Sequence, residues 1–191
     1  MSKKEEIISI ATALFNQGSY NSVGVDKIIL ESKVAKMTFY KYFPSKEKLI
    51  ESCLYQRKLD IQSAIESKLA GINEPLLRLQ GIYNWYIDWI FSNQFNGCMF
   101  NKASLEILIM YSSVKKPIDE YRTWLSQLVQ DVFGELKINK PVDIANFFIG
   151  ILDGLTINAL ISKELFSPED TWSYILKLIK FEEKMQTLNC C

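Results

Sequence analysis

Apolar residues recur along this chain at the spacing of α-helices almost from end to end. The first run, Ile7 to Phe15, follows Ser2 and Glu5, which are spaced as a capping box. No segment alternates as a β-strand does. The pattern predicts an all-α fold of about nine helices. Caps or first-turn prolines mark the starts of later runs at Ser45, Pro75, Pro117, Pro141 and Ser167.

The first three predicted helices are short and lie close together in sequence. Val25 to Ile29 marks the second and Ala35 to Phe43 the third, and Pro44 ends the third because proline disfavours helix at the residue before it. A tight turn separates the second helix from the third. This arrangement predicts a helix-turn-helix head ahead of a larger helical body.

The composition excludes several classes of catalytic site. The chain has 191 residues, 22 Lys and Arg, 22 Asp and Glu, and no histidine. Without histidine there is no Ser-His-Asp triad, Cys-His dyad or histidine-ligated metal. Residues 1–60 hold ten basic and seven acidic side chains, a net charge of +3, whereas residues 61–191 carry −3. A mildly basic head is a weak sign of a polyanionic partner, and ordinary charge scatter explains it equally well.

The four cysteines have no metal-site or disulfide spacing, so we expect no bound metal and no cofactor. Two of them are adjacent at the carboxyl end: the set is Cys53, Cys98, Cys190 and Cys191. The amino end is polar and lacks the features of a signal peptide. The longest apolar stretch, Ala145 to Ile161, contains Asn146 and Asp153, and we expect it to be too short and too polar to span a bilayer. The sequence thus predicts a cytoplasmic protein without a membrane partner.

Residues 34–49, VAKMTFYKYFPSKEKL, resemble the signature of the TetR family of transcriptional regulators. That signature reads roughly G-V-S-K-G-T-[LF]-Y-x-[HY]-F-x-[SN]-K-[ED]-x-L. The resemblance covers about residues 5–54 and includes the positions Ile10, Phe15, Gly18, Tyr20 and Ile28. It implies a DNA-binding domain over residues 1–46 and a ligand-binding and dimerisation domain over residues 47–191. It further implies a homodimeric regulator, most simply a repressor, on a palindromic double-stranded DNA operator.

The third helix carries the residue types that DNA reading requires. Small or polar side chains of its first turn would face base edges, with phosphate donors on either side. By the resemblance, Tyr40, Tyr42 and Lys46 contact phosphates. The alternatives without DNA contact are that the lysines are simply solvated and that the tyrosines pack in the core with exposed hydroxyls. The predicted DNA-binding set is Gly24, Lys36, Met37, Thr38, Tyr40, Lys41, Tyr42 and Lys46.

The head departs from the family signature at several positions. Lys33 replaces the usual turn glycine, Ala35 the usual serine cap and Met37 the usual glycine, and Val23-Gly24 stands where Thr-Ser is frequent. The lost hydroxyls remove caps or phosphate contacts worth about 1 kcal/mol each. We expect weaker DNA binding or an unusual operator.

The last two predicted helices suit subunit contact, because in the TetR family the corresponding helices form a four-helix dimer interface. Gly150 and Gly154 lie four apart on one helix face, where they would let another helix approach closely. Trp172, Ile175 and Ile179 give the last helix a wide apolar surface. The alternative is that both helices bury these faces within their own subunit.

The middle of the chain is rich in aromatic residues, and the resemblance implies a small-molecule effector there. An apolar cavity with a few polar groups is the usual small-molecule site. We expect a largely apolar or aromatic ligand, and a buried Glu106 beside rings would favour a cationic or hydroxylated one. The predicted lining is Tyr86, Trp89, Phe100, Trp124 and Phe148, with polar groups from Asn101, Glu106 and Asn158.

Three other functions stay open at this stage. A redox-responsive regulator would use Cys53 or the Cys190-Cys191 pair. An all-α enzyme would use a carboxylate site of Asp88, Glu106 and Asp153, although nothing in their spacing demands one. A helical small-molecule-binding protein with a weak DNA-binding head is a further alternative.

Overall fold

The computed structural model describes the backbone of residues 2–189 and the side chains of residues 2–185. Within these residues the chain forms nine α-helices and no strand, which confirms the predicted fold class. The helices are α1 (Lys3–Gln17), α2 (Val25–Glu31), α3 (Lys36–Tyr42), α4 (Lys46–Leu69), α5 (Pro75–Phe91), α6 (Met99–Glu106), α7 (Lys115–Glu135), α8 (Pro141–Ile161) and α9 (Pro168–Asn189).

The helix starts follow the capping signals in the sequence. At α1, Ser2 accepts from the Glu5 amide and Glu5 accepts from the Ser2 amide, which completes the capping box. Ser45 and Ser167 accept amide hydrogen bonds from Lys48 at 3.2 Å and Asp170 at 3.1 Å. These bonds satisfy donors that the first turn of a helix leaves free.

Two segments differ from the sequence prediction. The helix expected to run from Phe100 to Tyr111 ends at Glu106, and a turn and a 3-10 helix (Ser112–Val114) follow. The next helix begins at Lys115, two residues before Pro117. Pro117 is therefore in the first turn, where its missing amide hydrogen costs nothing.

The chain divides into two compact units. The head unit consists of the residues up to Ser63 together with Asn96–Tyr121, and the body unit consists of Ala64–Phe95 and the chain from Arg122 onward. The units are therefore not cut at residues 46 and 47. The functional division into residues 1–46 and 47–191 stays a prediction.

The head unit has a core of aromatic and branched side chains. Phe15 and Tyr20 are fully buried with ring centroids 5.1 Å apart, and Phe39 and Phe43 are buried 5.9 Å apart. These four rings come from α1, the turn after it, α3 and the residue that follows α3. Their burial fixes α3 in the unit and leaves its opposite side to solvent.

The body unit is built around α5, which packs against both α8 and α9. Ile82, Tyr83, Tyr86 and Ile90 of α5 are buried. Tyr83 also donates a hydrogen bond to the Pro168 carbonyl oxygen at 2.8 Å, at the start of α9.

Candidate nucleic-acid interface

The side of α3 that faces away from the core is open to solvent. Met37 is 87% exposed, Tyr40 43% and Tyr42 38%, and Lys36 and Lys41 are exposed as well. Phe39, on the opposite side, is fully buried. The helix therefore presents cations, hydroxyls and a thioether on one surface, a combination that suits DNA phosphates and base edges. We call Lys36, Met37, Thr38, Tyr40, Lys41 and Tyr42 the α3 surface.

Lys36 and Lys46 are each held by a neighbouring part of the head. The Lys36 Nζ lies 3.2 Å from Oδ1 of Asp26, in the first turn of α2, and this partner raises the pKa of the lysine. The Lys46 Nζ lies 3.5 Å from the carbonyl oxygen of Asn21, and partial burial lowers its pKa. Both contacts are with exposed or weak partners, so each ammonium can exchange its partner for a phosphate or a base at little cost.

Three positions where the chain departs from the family signature have unusual backbone or capping geometry. Lys33 has a φ of 53°, in the left-handed region where a glycine is comfortable and a lysine is strained. Ala35 is the N-cap of α3 and Gly24 the N-cap of α2, and neither forms a side-chain capping bond. Both helices of the helix-turn-helix thus begin without the hydroxyl cap that the family signature supplies.

Residues of α6 complete the head unit, which the sequence analysis did not anticipate. The amide of Tyr20 donates to Oε2 of Glu106 at 2.7 Å, and the Tyr20 hydroxyl donates to the Met99 carbonyl at 3.1 Å. Lys102 Nζ donates to three carbonyl oxygens at the end of α1. Sequence reasoning missed these contacts because more than 75 residues separate the partners.

The predicted dimerisation residues fall into two groups. Gly150 and Gly154 have open space around the position of a Cβ atom, so a partner helix has access to them. Ile175 and Ile179 are each only 3% exposed and Trp172 packs on Tyr83 with centroids 5.2 Å apart. Ile175 and Ile179 are thus packed within their own subunit, which is the alternative that the sequence analysis left open for these helices.

Other side chains of α8 and α9 form the exposed apolar surface. Phe147 is 56% exposed and Phe181 57% exposed, and both line a groove of about 530 Å³ between the two helices. We call the exposed apolar residues of the two helices the α8–α9 surface: Val142, Phe147, Ile157, Leu160, Ile161, Tyr174, Phe181 and Met185.

The predicted ligand-binding rings mostly pack against other rings. Phe100 stacks on Tyr121 with centroids 3.9 Å apart, within the head unit. In the body unit, Tyr86 and Trp89 lie 6.1 Å apart, and Phe148 meets Phe133 at 6.3 Å. Trp124 and Asn101 are partly buried.

Two of the predicted polar ligand groups lie elsewhere than expected. Asn158 is on the exposed side of α8, so it is not a polar group within an apolar interior of the single chain. The carboxylate of Glu106 is engaged by the Tyr20 amide. The sequence placed both residues correctly on helices but gave no information about what they face.

The cysteines and carboxylates that the redox and enzyme alternatives would use are buried, paired or outside the described residues. Cys53 is fully buried, and burial raises its pKa to about 12, so its thiol is protonated and unreactive at neutral pH. Cys190 and Cys191 lie outside the described residues. Asp88 pairs with Lys68, Asp153 with Arg122, and Glu106 binds the Tyr20 amide. Among the described residues, no group of three His, Cys, Asp or Glu is placed to hold a metal ion.

Helix α8 is longer than the apolar stretch that the sequence analysis considered, because it begins at Pro141 and not at Ala145. All 21 residues, Pro141–Ile161, form one helix that is long and apolar enough to cross a bilayer, so the expectation that the stretch is too short is wrong. A core helix of a folded domain meets the same criterion. Phe148, Leu152 and Leu155 are buried, so one face of α8 packs within the chain.

Comparisons with known proteins agree with this geometry. Residues 7–53 match the family model of bacterial regulatory proteins of the tetR family. The Tn10 TetC protein of Escherichia coli is 26% identical over 166 residues, 84% of this chain and 82% of TetC. The HTH-type regulator YuxN of Bacillus subtilis is 51% identical over 55 residues, 28% of this chain and 19% of YuxN.

Solved structures extend the likeness to nearly the whole chain. A TetR-family transcriptional regulator from Streptomyces coelicolor superimposes with a TM-score of 0.78 at 22% identity, covering 93% of this chain and 92% of the other. An identity this low shows the shared fold. The match over residues 7–53 gives the chain the DNA-binding domain of the tetR family, and the relatives and the fold together support a TetR-family transcriptional regulator.

Proposed function

We propose that this chain is a homodimeric repressor that binds a palindromic operator through the α3 surface and is controlled by a small, largely apolar or aromatic effector. The observation that carries the proposal is the α3 surface itself, whose cations and hydroxyls project from a helix that buried rings hold in place. The proposal assigns DNA binding to residues 1–46, and effector binding and dimerisation to residues 47–191. It also assigns the protein to the cytoplasm, where chromosomal DNA is found in bacteria.

The roles within the α3 surface follow from side-chain chemistry. Lys36 and Lys41 are suited to guanine O6 and N7, whereas Met37 and Thr38 are suited to the methyl group of thymine. Tyr40, Tyr42 and Lys46 would donate to phosphates, and Lys46 lies at the start of α4, where free amides add to the attraction for anions. Gly24, exposed at the start of α2, lets the backbone approach a phosphate closely.

Dimerisation is supported by the α8–α9 surface. An apolar groove that the single chain leaves open is unfavourable in water, and a second copy would cover it. Gly150 and Gly154 have free space beside them, so the backbone of a partner helix can approach. Two-fold pairing would present two α3 surfaces to half-sites about one helical turn apart, some 34–36 Å.

Effector control is supported by the aromatic residues of the body. Trp85, Tyr86, Trp89 and Phe95 form a continuous ring cluster that the core does not fully enclose. Tyr86, Trp89, Trp124 and Phe148 remain the proposed lining from this unit. An effector would act by favouring one of two head separations in the dimer, which is a population shift.

The direct test is selection of sequences from a random duplex library by the purified protein. We expect a two-fold symmetric motif for the wild type and none for the double variant Tyr40→Ala, Lys46→Ala. Retention of the same motif by the double variant would contradict the assigned roles, and no motif with the wild type would contradict operator binding altogether.

The redox alternative makes a separate prediction. If a cysteine controls DNA binding, the affinity for the selected duplex changes when reductant is removed. Because Cys53 is buried with a raised pKa, we expect equal affinity with and without reductant for a variant in which Cys190 and Cys191 are replaced by Ser.

A further inference from the structure

The carboxyl end of α1 has a cap supplied by another helix. The last four carbonyls of a helix lack intrahelical partners, and a basic side chain in the last turn often stabilises them. The last turn of α1 contains no basic residue. Lys102 of α6 takes this place, and its Nζ donates to the carbonyl oxygens of Phe15 at 3.2 Å, Asn16 at 3.1 Å and Gly18 at 2.6 Å.

A second residue of α6 holds the turn that follows α1. Glu106, one helical turn after Lys102, accepts the Tyr20 amide hydrogen at 2.7 Å, and its backbone carbonyl accepts from the Asn21 side chain at 3.4 Å. The turn also has its own internal bonds, since the Ser22 amide donates to the Ser19 hydroxyl oxygen at 3.0 Å and the Ser19 amide to Ser22 Oγ at 3.2 Å.

The held turn leads directly to the predicted DNA contacts. The side chain of Asn21 donates to the backbone carbonyl of Glu106. The backbone carbonyl oxygen of Asn21 in turn accepts a hydrogen bond from Lys46 Nζ at 3.5 Å. Gly24 and the start of α2 come three to four residues later. The position of the turn therefore determines where the Lys46 ammonium rests and where α2 begins.

We infer that Lys102 and Glu106 are positioning residues for DNA binding, although neither belongs to the predicted contact set. The inference rests on the proposed operator binding. Lys102 fixes the end of α1, Glu106 fixes the turn, and together they place Lys46 and α2 for the duplex. Partial burial lowers the pKa of Lys102, which agrees with an ammonium enclosed by carbonyl oxygens instead of water.

The two residues carry opposite charges, and this allows a sharp test in the full-length protein. Lys102→Met keeps the aliphatic stem and removes the ammonium, whereas Glu106→Met removes the carboxylate. If only net charge mattered, Lys102→Met would weaken binding of the wild-type-selected duplex and Glu106→Met would strengthen it. Positioning predicts that both variants bind about tenfold more weakly, the effect of losing a charge-assisted hydrogen bond.

Conservative substitutions provide the rescue. Lys102→Arg keeps a cation that donates to carbonyls and Glu106→Gln keeps an acceptor for the Tyr20 amide, so we expect affinities within a few-fold of the wild type. Lys116→Met, an exposed lysine of the head unit outside this cluster, controls for loss of one positive charge. All affinities are compared at a temperature where circular dichroism shows each variant fully helical.

A double-mutant cycle links the cluster to Lys46. If Lys102 acts by placing Lys46, then Lys46→Ala costs less affinity in the Lys102→Met background than in the wild type. Stronger binding by Glu106→Met, or full additivity of Lys102→Met and Lys46→Ala, would overturn the inference. A wild-type protein that selects no duplex would instead overturn the proposed function, and this inference with it.

Discussion

The α3 surface and the α8–α9 surface are both exposed in the single chain, but their chemistry is opposite. The α3 surface carries lysine ammonium groups and the hydroxyls of threonine and tyrosine around one methionine, whereas the α8–α9 surface has no charged residue and consists of aliphatic and aromatic side chains and one methionine beside open glycines. Water solvates the first at no cost and the second only unfavourably. Exposure alone thus does not distinguish the proposed DNA-binding surface from the proposed subunit interface, whereas the free energy of hydration does.

The largest expected effect is on the α8–α9 surface. Phe181→Glu places a charge in the middle of the proposed interface, and an unpaired buried charge costs about 3–5 kcal/mol. We expect a monomer at micromolar concentration by analytical ultracentrifugation, with a parallel loss of operator affinity. Leu77→Glu, a matched change at an exposed apolar position of α5, should leave the oligomeric state unchanged. Equal behaviour of the two variants would refute the proposed interface.

The next effect concerns sequence preference at the α3 surface. Lys36→Ala and Thr38→Ala should each change the selected motif at one position per half-site, with a loss of about 1–3 kcal/mol in discrimination. Library selection measures the change. Lys27→Ala, an exposed lysine of α2 outside the predicted set, serves as the control and should select the wild-type motif. An unchanged motif for Lys36→Ala would remove Lys36 from base reading.

Lys46 should affect all sequences alike. Lys46→Ala is expected to weaken operator and random duplexes by the same factor and to reduce the slope of log affinity against log salt by about one. Titrations between low and moderate salt measure the slope. Lys48→Ala is the matched control, because Lys48 pairs with Glu51 at 2.7 Å and lies outside the predicted set. A selective loss for the operator alone would contradict a phosphate contact.

A smaller effect is expected at the uncapped start of α3. Ala35→Ser supplies the missing hydroxyl cap and should stabilise the head by about 1 kcal/mol, measured as the free energy of urea-induced unfolding. Ala13→Ser, at an exposed position within α1, has no free amide to cap and should be slightly destabilising. If both variants respond equally, Ala35 is not acting as an N-cap.

The smallest effect is expected at Lys33. Glycine relieves the left-handed strain at φ 53° but makes the unfolded chain more flexible, so Lys33→Gly should stabilise the protein by only about 0.5 kcal/mol. Lys137→Gly makes the same exchange in the body unit at φ 58°. Thermal unfolding should show similar small gains for both, and a loss at Lys33 alone would indicate that its side chain has a role of its own.

Much of this architecture was accessible from the sequence because it is locally encoded. The capping box of Ser2 and Glu5, the caps at Ser45 and Ser167 and the prolines at helix starts all act within four residues. The departures from the family signature at Lys33 and Ala35 were also visible in the sequence. In the structure, Lys33 has a left-handed backbone angle and Ala35 is an N-cap without a side-chain hydrogen bond. Local signals of this kind determine where helices begin and end.

The sequence could not show whether a given helix face packs against the rest of the chain or faces solvent. Ile175 and Ile179 are as apolar as Phe181, yet the first two are buried in their own chain and the third is exposed. Glu106 has nothing in its neighbourhood along the chain to indicate Tyr20 as its partner. Such assignments depend on packing between distant segments, which the helical period alone does not specify.

The cap on α1 also has a consequence for the timing of synthesis. The ammonium that closes the end of α1 belongs to a residue 84 positions after Gly18. A ribosome adds about 5–20 residues per second, so Lys102 is made roughly 4–17 s after Gly18. Throughout that interval the nascent α1 has open carbonyls at its carboxyl end, and the head reaches its final form only when α6 emerges.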